Sequence, residues 1–358
     1  MRRGRLVVGL AAGIYCVAAI LSIGNAVATP QFARETKLPC SSCHQHVPLL
    51  NKFGQQFYAN GFRLPKSHKM VDTVPAWVNL EADATTSGSL GSAVPIKYSG
   101  TEIASYGNFG PRDIYHFEYQ PTTSQIYPYE LHSFGSGLSV QMGEMGLLSQ
   151  YDPRLDITNS RPVYLQPAGA GPLGNGRFGP FAPGSNVYGF RAVTSISGAS
   201  SMPYADGWKV AATVPFSDEA PCGNTPDFDT HPTGTFLETY RRDGMNSYGV
   251  NTFLGGDGRR YYGAVAQRSL GKVLLEGGVS YATWDAFSTR MASVSGSWAP
   301  TPDKAIALRI DDQDGFVNYV PTLSWLLSRN SAAVRLIAES TITHGVAPTT
   351  TFSVELKF

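Results

Sequence analysis

The C-terminal segment 350–358 alternates with a period of two residues. Phe352, Val354 and Leu356 fall on one face, and Glu355 falls on the other. A period of two is the spacing of a β-strand whose faces meet different surroundings. An apolar and a polar face are typical of a strand between lipid and a polar lumen, although a soluble β-sandwich also alternates. This pattern limits what the chain can fold into more than any other feature.

Further segments repeat the alternation, with Phe253 as an exception: 248–254, 273–281, 308–311 and 334–342. Polar faces that carry Arg and Glu, frequent aromatics and the terminal Phe358 favour a membrane barrel over a sandwich. Counting alternating runs gives roughly 14, with two more in long connections, and bacterial barrels use even numbers. The predicted fold is mainly β: a transmembrane antiparallel β-barrel of about 14–16 strands over residues 76–358, preceded by a small N-terminal α-helical module.

Composition excludes two other classes. Charged residues make up 15% of the chain and aromatic residues 11%, whereas disordered segments are rich in charge and poor in aromatics. After the first 28 residues no apolar run approaches the roughly 20 residues that a spanning helix needs. The chain is therefore expected to fold without transmembrane helices.

The predicted connections are unequal in length. Short turns are indicated at Gly256–Gly258, Leu270–Gly271, Pro302–Asp303 and Arg329–Asn330. Long Gly- and Pro-rich connections are predicted over 85–111, 151–186 and 217–233, and the last contains Cys222, to which we assign no role. The acidic run Asp311–Gly315 fails the EF-hand pattern and is interpreted as a hairpin turn.

The N-terminus carries the three parts of a secretory signal peptide. A basic start is followed by an apolar stretch over 6–23 and by Ala26-Val27-Ala28, so cleavage after residue 28 is predicted, with a retained anchor as the alternative. Removal of this leader leaves 25 basic against 27 acidic residues. A chain with no net positive charge is not expected to bind nucleic acid.

Cys40-Ser41-Ser42-Cys43-His44 fits the C-x-x-C-H signature of covalent c-type haem attachment. Two thiols at this spacing add to the two vinyl groups of one porphyrin, and the adjacent His ligates the iron. The alternatives are a Cys40–Cys43 disulfide and half of a zinc site, but a paired zinc site needs a second C-x-x-C. The module over 29–75 is therefore predicted to bind one haem c through Cys40, Cys43 and His44.

A short helix is predicted after the motif. Pro48 suits its first position, Leu50, Phe53 and Phe57 share one helical face, and Asn60-Gly61 suits its C-terminal cap. The best local candidates for the distal haem ligand are His68 and Met70, since His46 is too close to His44 to reach the opposite face of the ring. An open site and four ligands from the β region remain alternatives: His116, His132, Met142 and Met145.

Taken together, these features resemble the fused monohaem cytochrome–porin family of the outer membrane. The resemblance rests on the leader, the C-x-x-C-H motif, the run Pro48–Gly54, Asn60-Gly61-Phe62 and the barrel pattern that ends on Phe358. It implies an outer-membrane protein that takes electrons from an extracellular reductant such as Fe(II) and passes them to a periplasmic cytochrome or other acceptor. It also implies a possible Fe(II):cytochrome c oxidoreductase activity and contact with outer-membrane lipid.

The sequence also allows two other functions. The first is a porin for solute passage whose haem domain gates or senses. The second is a soluble periplasmic cytochrome with a β-sandwich.

Electrons from a donor outside the cell need a path across the outer membrane, because the apolar band of the membrane is an insulator about 25 Å thick. Electron transfer through the barrel is therefore the leading prediction.

Overall fold

The computed structural model describes most of the chain after residue 30. The described residues are 31–64, 76–87, 96–108, 110, 112–121, 125–134, 137–146, 148, 157, 160, 162, 186–196, 200–202, 205–218, 234–256, 258–284, 287–329 and 332–357. The predicted leader, His68, Met70, Cys222 and Phe358 lie outside them. None of the helices in these ranges is long and apolar enough to cross a membrane.

Within the described residues, sixteen strands form one closed antiparallel barrel, which confirms the predicted fold class. They follow two short strands of the N-terminal segment, β1 (His44–His46) and β2 (Leu49–Leu50). The barrel strands are β3 (Trp77–Ser87), β4 (Ile96–Gly107), β5 (Asp113–Gln120), β6 (Gln125–Ser133), β7 (Leu138–Gly146), β8 (Asn186–Ser195), β9 (Gly207–Asp218), β10 (Gly234–Asp243), β11 (Asn246–Gly255), β12 (Arg260–Leu270), β13 (Val273–Trp284), β14 (Phe287–Thr301), β15 (Lys304–Gln313), β16 (Phe316–Arg329), β17 (Ala332–Thr343) and β18 (Thr349–Lys357).

The barrel closes where its last strand meets its first. β18 pairs antiparallel with β3, in a register that sets Lys357 opposite Asn79 and Glu355 opposite Glu81. Every barrel strand therefore has two neighbours, and the barrel itself has no sheet edge among the described residues. The prediction of one long connection over 85–111 is wrong, because β4 lies inside that stretch.

The two faces of the wall differ as the alternation predicts. Outward side chains such as Val279, Leu308 and Phe352 are 57%, 49% and 46% exposed, whereas Arg309 and Ser353 point inward and are almost fully buried. An outward apolar surface on a closed barrel is what a lipid environment requires. Phe253, the exception in the sequence pattern, is a buried inward-facing aromatic and does not interrupt the strand.

The two ends of the barrel carry different connections. We call the end at which β3 begins and β18 finishes the short-turn end; it holds the connections 244–245, 271–272, 302–303 and 330–331. The opposite end, called the loop end, holds the longest connection, 147–185. The predicted turn at Gly256–Gly258 belongs to the loop end, as does the Asp314–Gly315 turn, which confirms that the acidic run forms a hairpin.

The N-terminal segment contains α1 (Gln31–Thr36), α2 (Cys40–Cys43) and α3 (Lys52–Ala59) around the β1–β2 pair. The prediction that a helix begins at Pro48 is wrong: α3 begins after Asn51, whose side chain accepts a hydrogen bond from the Gly54 N–H at 2.9 Å. Leu50 lies in β2 and not on the helix. The predicted end is correct, because Asn60 caps the helix and Gly61 follows with φ +68°.

Candidate functional site

Residues 31–64, which we call the plug, lie inside the barrel at its short-turn end. Val47 packs against Leu326 and Ala333 of β16 and β17. Phe57 and Phe62 pack against a different part of the wall; their partners are Ile114, Leu131 and Met202. Leu49 contacts a third part of the wall, and its partners are Leu274, Ala299, Ala305 and Ala307. The plug is therefore in contact with the wall on several sides and narrows this mouth.

His46 anchors the plug to the wall. Its Nδ1 lies 3.0 Å from the carbonyl oxygen of Pro302, and its Nε2 lies 2.9 Å from Ser324 Oγ. The side chain is fully buried, and this burial, together with the nearby Arg335 charge, lowers the pKa of His46 to about 4. His46 is thus neutral at neutral pH, and both ring nitrogens are engaged by the wall.

The two cysteines and His44 are brought together by one turn of helix. α2 carries both thiols, and His44 follows it directly as the residue that ends the helix. Burial, and then the neighbouring Cys40, raise the pKa of the Cys43 thiol. Such a thiol stays protonated at neutral pH, as a structural or attachment cysteine does, and not as a nucleophile.

Two further residues position this turn. The Asn51 side chain donates to the Ser42 carbonyl at 3.0 Å, and the Asn51 N–H donates to the Cys43 carbonyl at 2.9 Å. Gly54 lies so close that a Cβ added there would be 2.1 Å from the Cys43 carbonyl oxygen. The sequence run Pro48–Gly54 therefore holds the thiol-bearing turn in place.

A cavity of about 410 Å³ separates this turn from the barrel wall. Both thiols and His44 line it. Aromatic residues of the plug, aromatic residues of the wall and charged residues of the wall line it as well: Phe32, Phe57, Tyr58, Phe62, Trp77, Tyr106, Glu102, Glu118, Arg335 and Glu355. Its volume falls within the range of small-molecule and cofactor sites, about 300–1,000 Å³. It combines an apolar side with a few charged groups, as such sites usually do.

The residues around this cavity fit a covalent haem. The thiols have the required spacing, and His44 Nδ1 lies 2.9 Å from the Pro48 carbonyl oxygen. A backbone carbonyl on one ring nitrogen is the arrangement that orients metal-binding histidines, so Nε2 is the nitrogen suited to the iron. The aromatic rings provide flat apolar surfaces against which a porphyrin can pack.

A charged network connects the cavity wall to the plug. Arg335 donates through Nη1 to Glu355 at 3.2 Å, through Nε to Ser324 Oγ at 3.1 Å, and through Nη2 to the Ile157 carbonyl at 2.6 Å. Ser324 is also the partner of His46. Arg335 of β17 is therefore bonded to β18 through Glu355, to β16 through Ser324 and to Ile157 of the long connection 147–185. Through Ser324 it is also linked to His46 of the plug.

The long connection also reaches into the lumen at Ser160. Arg309 donates to Ser160 Oγ at 2.8 Å, and the Ser160 N–H donates to Glu339 at 3.0 Å. Ile157 is 1% exposed and belongs to the same apolar cluster as Leu49 of the plug. Part of this connection thus folds inward and meets the plug.

The alternative distal ligands in the β region occupy different places. His116 faces the lumen beside the cavity: its Nε2 is 2.6 Å from Glu118, and its ring stacks on Tyr106 with centroids 4.1 Å apart. His132 and Met142 point outward, away from the lumen, and Met145 lies near the loop end of β7. Of the four, only His116 adjoins a residue that lines the cavity.

Sequence reasoning missed the anchoring residues. The sequence excludes His46 as the distal ligand and indicates no role for Ser324, Ile157 or Ser160. The alternation places Glu355 on the polar face, and in the alternating segments 308–311 and 334–342 the same face carries Arg309 and Glu339. It could not reveal their partners, because those contacts join residues far apart in the chain.

Comparison with known proteins agrees with the fold. The chain matches no family model and no curated protein. Among solved structures it is similar to Salmonella typhi OmpF in complex with daunomycin, with a TM-score of 0.57 and 8% identity over 79% of this chain and 97% of the other. It is also similar to in-vitro-folded OmpT of Vibrio cholerae, with a TM-score of 0.51 and 9% identity over 81% and 99% of the two chains.

These similarities define the class of fold. The barrel is of the porin type, and the similar OmpT is an outer membrane protein. At such low identity the likeness concerns the architecture alone. The C-x-x-C-H turn and its cavity are therefore interpreted from this chain's own residues.

Proposed function

We propose that this protein is an outer-membrane electron conduit with one covalent haem c in its plug. Cys40 and Cys43 hold the haem, and His44 ligates its iron. Electrons pass from an extracellular donor such as Fe(II) to a periplasmic cytochrome or other acceptor. The observation that carries the proposal is the cavity of about 410 Å³ that both thiols and His44 line, inside the mouth of a closed barrel.

The barrel geometry supports a location in the outer membrane. Outward apolar side chains surround the wall, and short turns occupy one end while the longest connection occupies the other. In outer-membrane barrels the short turns face the periplasm and the long loops face outward. On this basis the plug lies at the periplasmic mouth, where a soluble acceptor has access to it.

The residues around the cavity have separable roles in this proposal. The haem, when bound, supplies reversible one-electron chemistry. The Pro48 carbonyl orients the His44 ring, and the aromatic side of the cavity excludes water. The wall provides charged side chains, among them the Arg335–Glu355 pair, which influence the reduction potential through their field. The distal position is proposed for His68 or Met70.

Solute passage is the second candidate, with a haem segment that gates or senses. The comparisons favour it over electron transfer, because the similar structures are porin-type barrels and none of those named is a cytochrome. The plug, in contact with several parts of the wall, and the inward-folded residues Ile157 and Ser160 oppose free passage. The two functions predict opposite behaviour in a sealed vesicle.

Proteoliposomes can separate the two functions. With the intact protein, external Fe(II) is expected to reduce an enclosed acceptor, and small sugars are expected to cause little swelling. Replacing both Cys40 and Cys43 with Ser is expected to abolish the reduction while the barrel stays folded. Sugar-induced swelling with no reduction of the acceptor would contradict electron transfer and support passage.

A further inference from the structure

A second cluster of chemically active side chains lies on the outside of the barrel. Asp113 begins β5, and His132 lies directly opposite it on β6. Glu130 is two residues from His132 and therefore shares its face. One ligand atom from each of the three lies within 4.8 Å of the others. The neighbours Ile114 and Leu131 pack against the plug, so this trio points the other way.

The position of this trio favours a bound cation. Two carboxylates on the outward face of a barrel lie next to the apolar band, where charge is unfavourable in a depth-dependent way. Two arginines lie nearby: the Asp113 charge acts on Arg63, and Arg112 donates to the Phe134 carbonyl at 3.4 Å. Among the described residues, neither arginine forms an ion pair with Glu130.

His132 is already oriented toward the centre of the trio. Its Nδ1 contacts Asp113 Oδ1, and its ring meets Phe134 edge-on with centroids 4.6 Å apart. An ion between the imidazole and the carboxylates would replace this direct contact with coordination. One nitrogen and two carboxylate oxygens suit borderline divalent ions such as Zn²⁺, whose bonds to these atoms are about 2.0–2.2 Å long.

We propose that Asp113, Glu130 and His132 bind one divalent transition-metal ion, such as Zn²⁺, on the outer face of the barrel near its short-turn end. The ion would join β5 to β6 behind the wall residues Ile114 and Leu131, on which the plug packs. The site is separate from the thiol-lined cavity. It holds or fails independently of the proposed haem.

Calorimetric titration of the purified full-length barrel with Zn²⁺ tests the site. One equivalent is expected to bind, and His132→Gln is expected to weaken that binding at least tenfold. Asp113→Asn and Glu130→Gln are expected to weaken it as well. His344→Gln serves as the matched control, because His344 is exposed on the connection between β17 and β18 at the other end.

Circular dichroism and a heat-modifiability assay establish that each variant is a folded barrel. Binding that is equally tight after His132→Gln, or no binding below millimolar Zn²⁺, would overturn the proposal. If Zn²⁺ bound to the Cys40 and Cys43 thiols instead, binding would be unchanged by His132→Gln, and this result would contradict the proposal. Electron transfer in proteoliposomes is a different measurement, so failure of either proposal is recognised separately.

Discussion

Gly54 allows α3 to lie closer to the thiol-bearing turn than any side chain would permit. A Cβ at this position would meet the Cys43 carbonyl oxygen at 2.1 Å and its carbonyl carbon at 2.9 Å. Backbone atoms cannot move aside as a flexible side chain can. The residue next to the haem signature is therefore fixed by packing, although helix propensity alone would favour Ala by about 1 kcal/mol.

Gly54→Ala is expected to displace α2 and to reduce covalent haem per chain. Overpacking of this kind typically costs about 1–3 kcal/mol. Haem staining of the denatured protein, normalised to protein amount, measures the effect. Gly256→Ala is the control, because a Cβ there has no atom within 4 Å. Wild-type haem content in Gly54→Ala would show that this close contact does not matter.

His46 makes the docking of the plug sensitive to acid. Its pKa is about 4 in the folded protein, below the usual 6.5, because the ring is buried and lies near Arg335. The unfolded or undocked form therefore takes up the proton more readily. The contribution of neutral His46 to docking is fully present above about pH 6.5 and decreases as the pH falls toward 4. Below about pH 4 this contribution does not decrease further.

Limited proteolysis of the plug across pH 7 to 4 measures this dependence, provided that the protease stays active over that range. Cleavage within 31–64 is expected to become faster as the pH falls in the wild type. In His46→Asn, which does not titrate, docking is weaker at pH 7 but changes less with pH. Identical pH profiles for the two proteins would remove His46 as the cause.

At the scale of elements, the strands were predictable where one face is apolar and the other charged. β15, β17 and β18 show this pattern clearly. β4 was missed because Gly100, Ser99 and Thr101 interrupt its alternation, and its pairing with β3 also shifts register. The start of α3 was misplaced because β1 and β2 pair immediately before it, and a helical period cannot reveal such a pairing.

Arg335 links β17 to β18 through Glu355, and both side chains are buried. Arg335→Met is expected to lower the free energy of unfolding by about 3–5 kcal/mol, because it removes the guanidinium partner of a buried carboxylate. Urea unfolding of the barrel in detergent measures the change. Arg268→Met is the control, since Arg268 is exposed. A change of less than about 1 kcal/mol in the free energy of unfolding would mean that Glu355 is solvated by water as at an exposed surface.

The outward-facing apolar side chains allow the membrane-spanning assignment to be tested by placing a charge at two different depths. Val279 lies near the middle of β13 and is 57% exposed, whereas Leu270 lies at the end of β12 and is 51% exposed. In bilayers, Val279→Arg is expected to cost about 2–4 kcal/mol and Leu270→Arg about 0–1 kcal/mol. Equal costs in a bilayer-based unfolding titration would contradict a lipid-facing Val279.

At the scale of the whole molecule, the sequence predicts a barrel and a haem motif but not how they meet. The motif is local and could be found from five residues. The placement of the plug depends on contacts such as His46 with Ser324 and Leu49 with Leu274, which join distant parts of the chain. The inward position of Ser160 depends on Arg309 in the same way. No local period encodes these pairings.

Two separate segments of the chain reach into the lumen of the barrel. The plug occupies the short-turn end, and Ile157 and Ser160 come in from the long connection. Under the proposed function, these segments would hinder the passage of solutes, whereas electrons cross protein without an open channel.

The most direct test is the number of covalent haems per chain. The full-length protein is expressed in cells that contain the machinery for c-type haem attachment, purified from the outer membrane and denatured, and its haem is quantified after free haem has been extracted. One covalent haem per chain is expected, lost when Cys40 and Cys43 are replaced with Ser. A correctly folded barrel that carries no covalent haem would contradict the account.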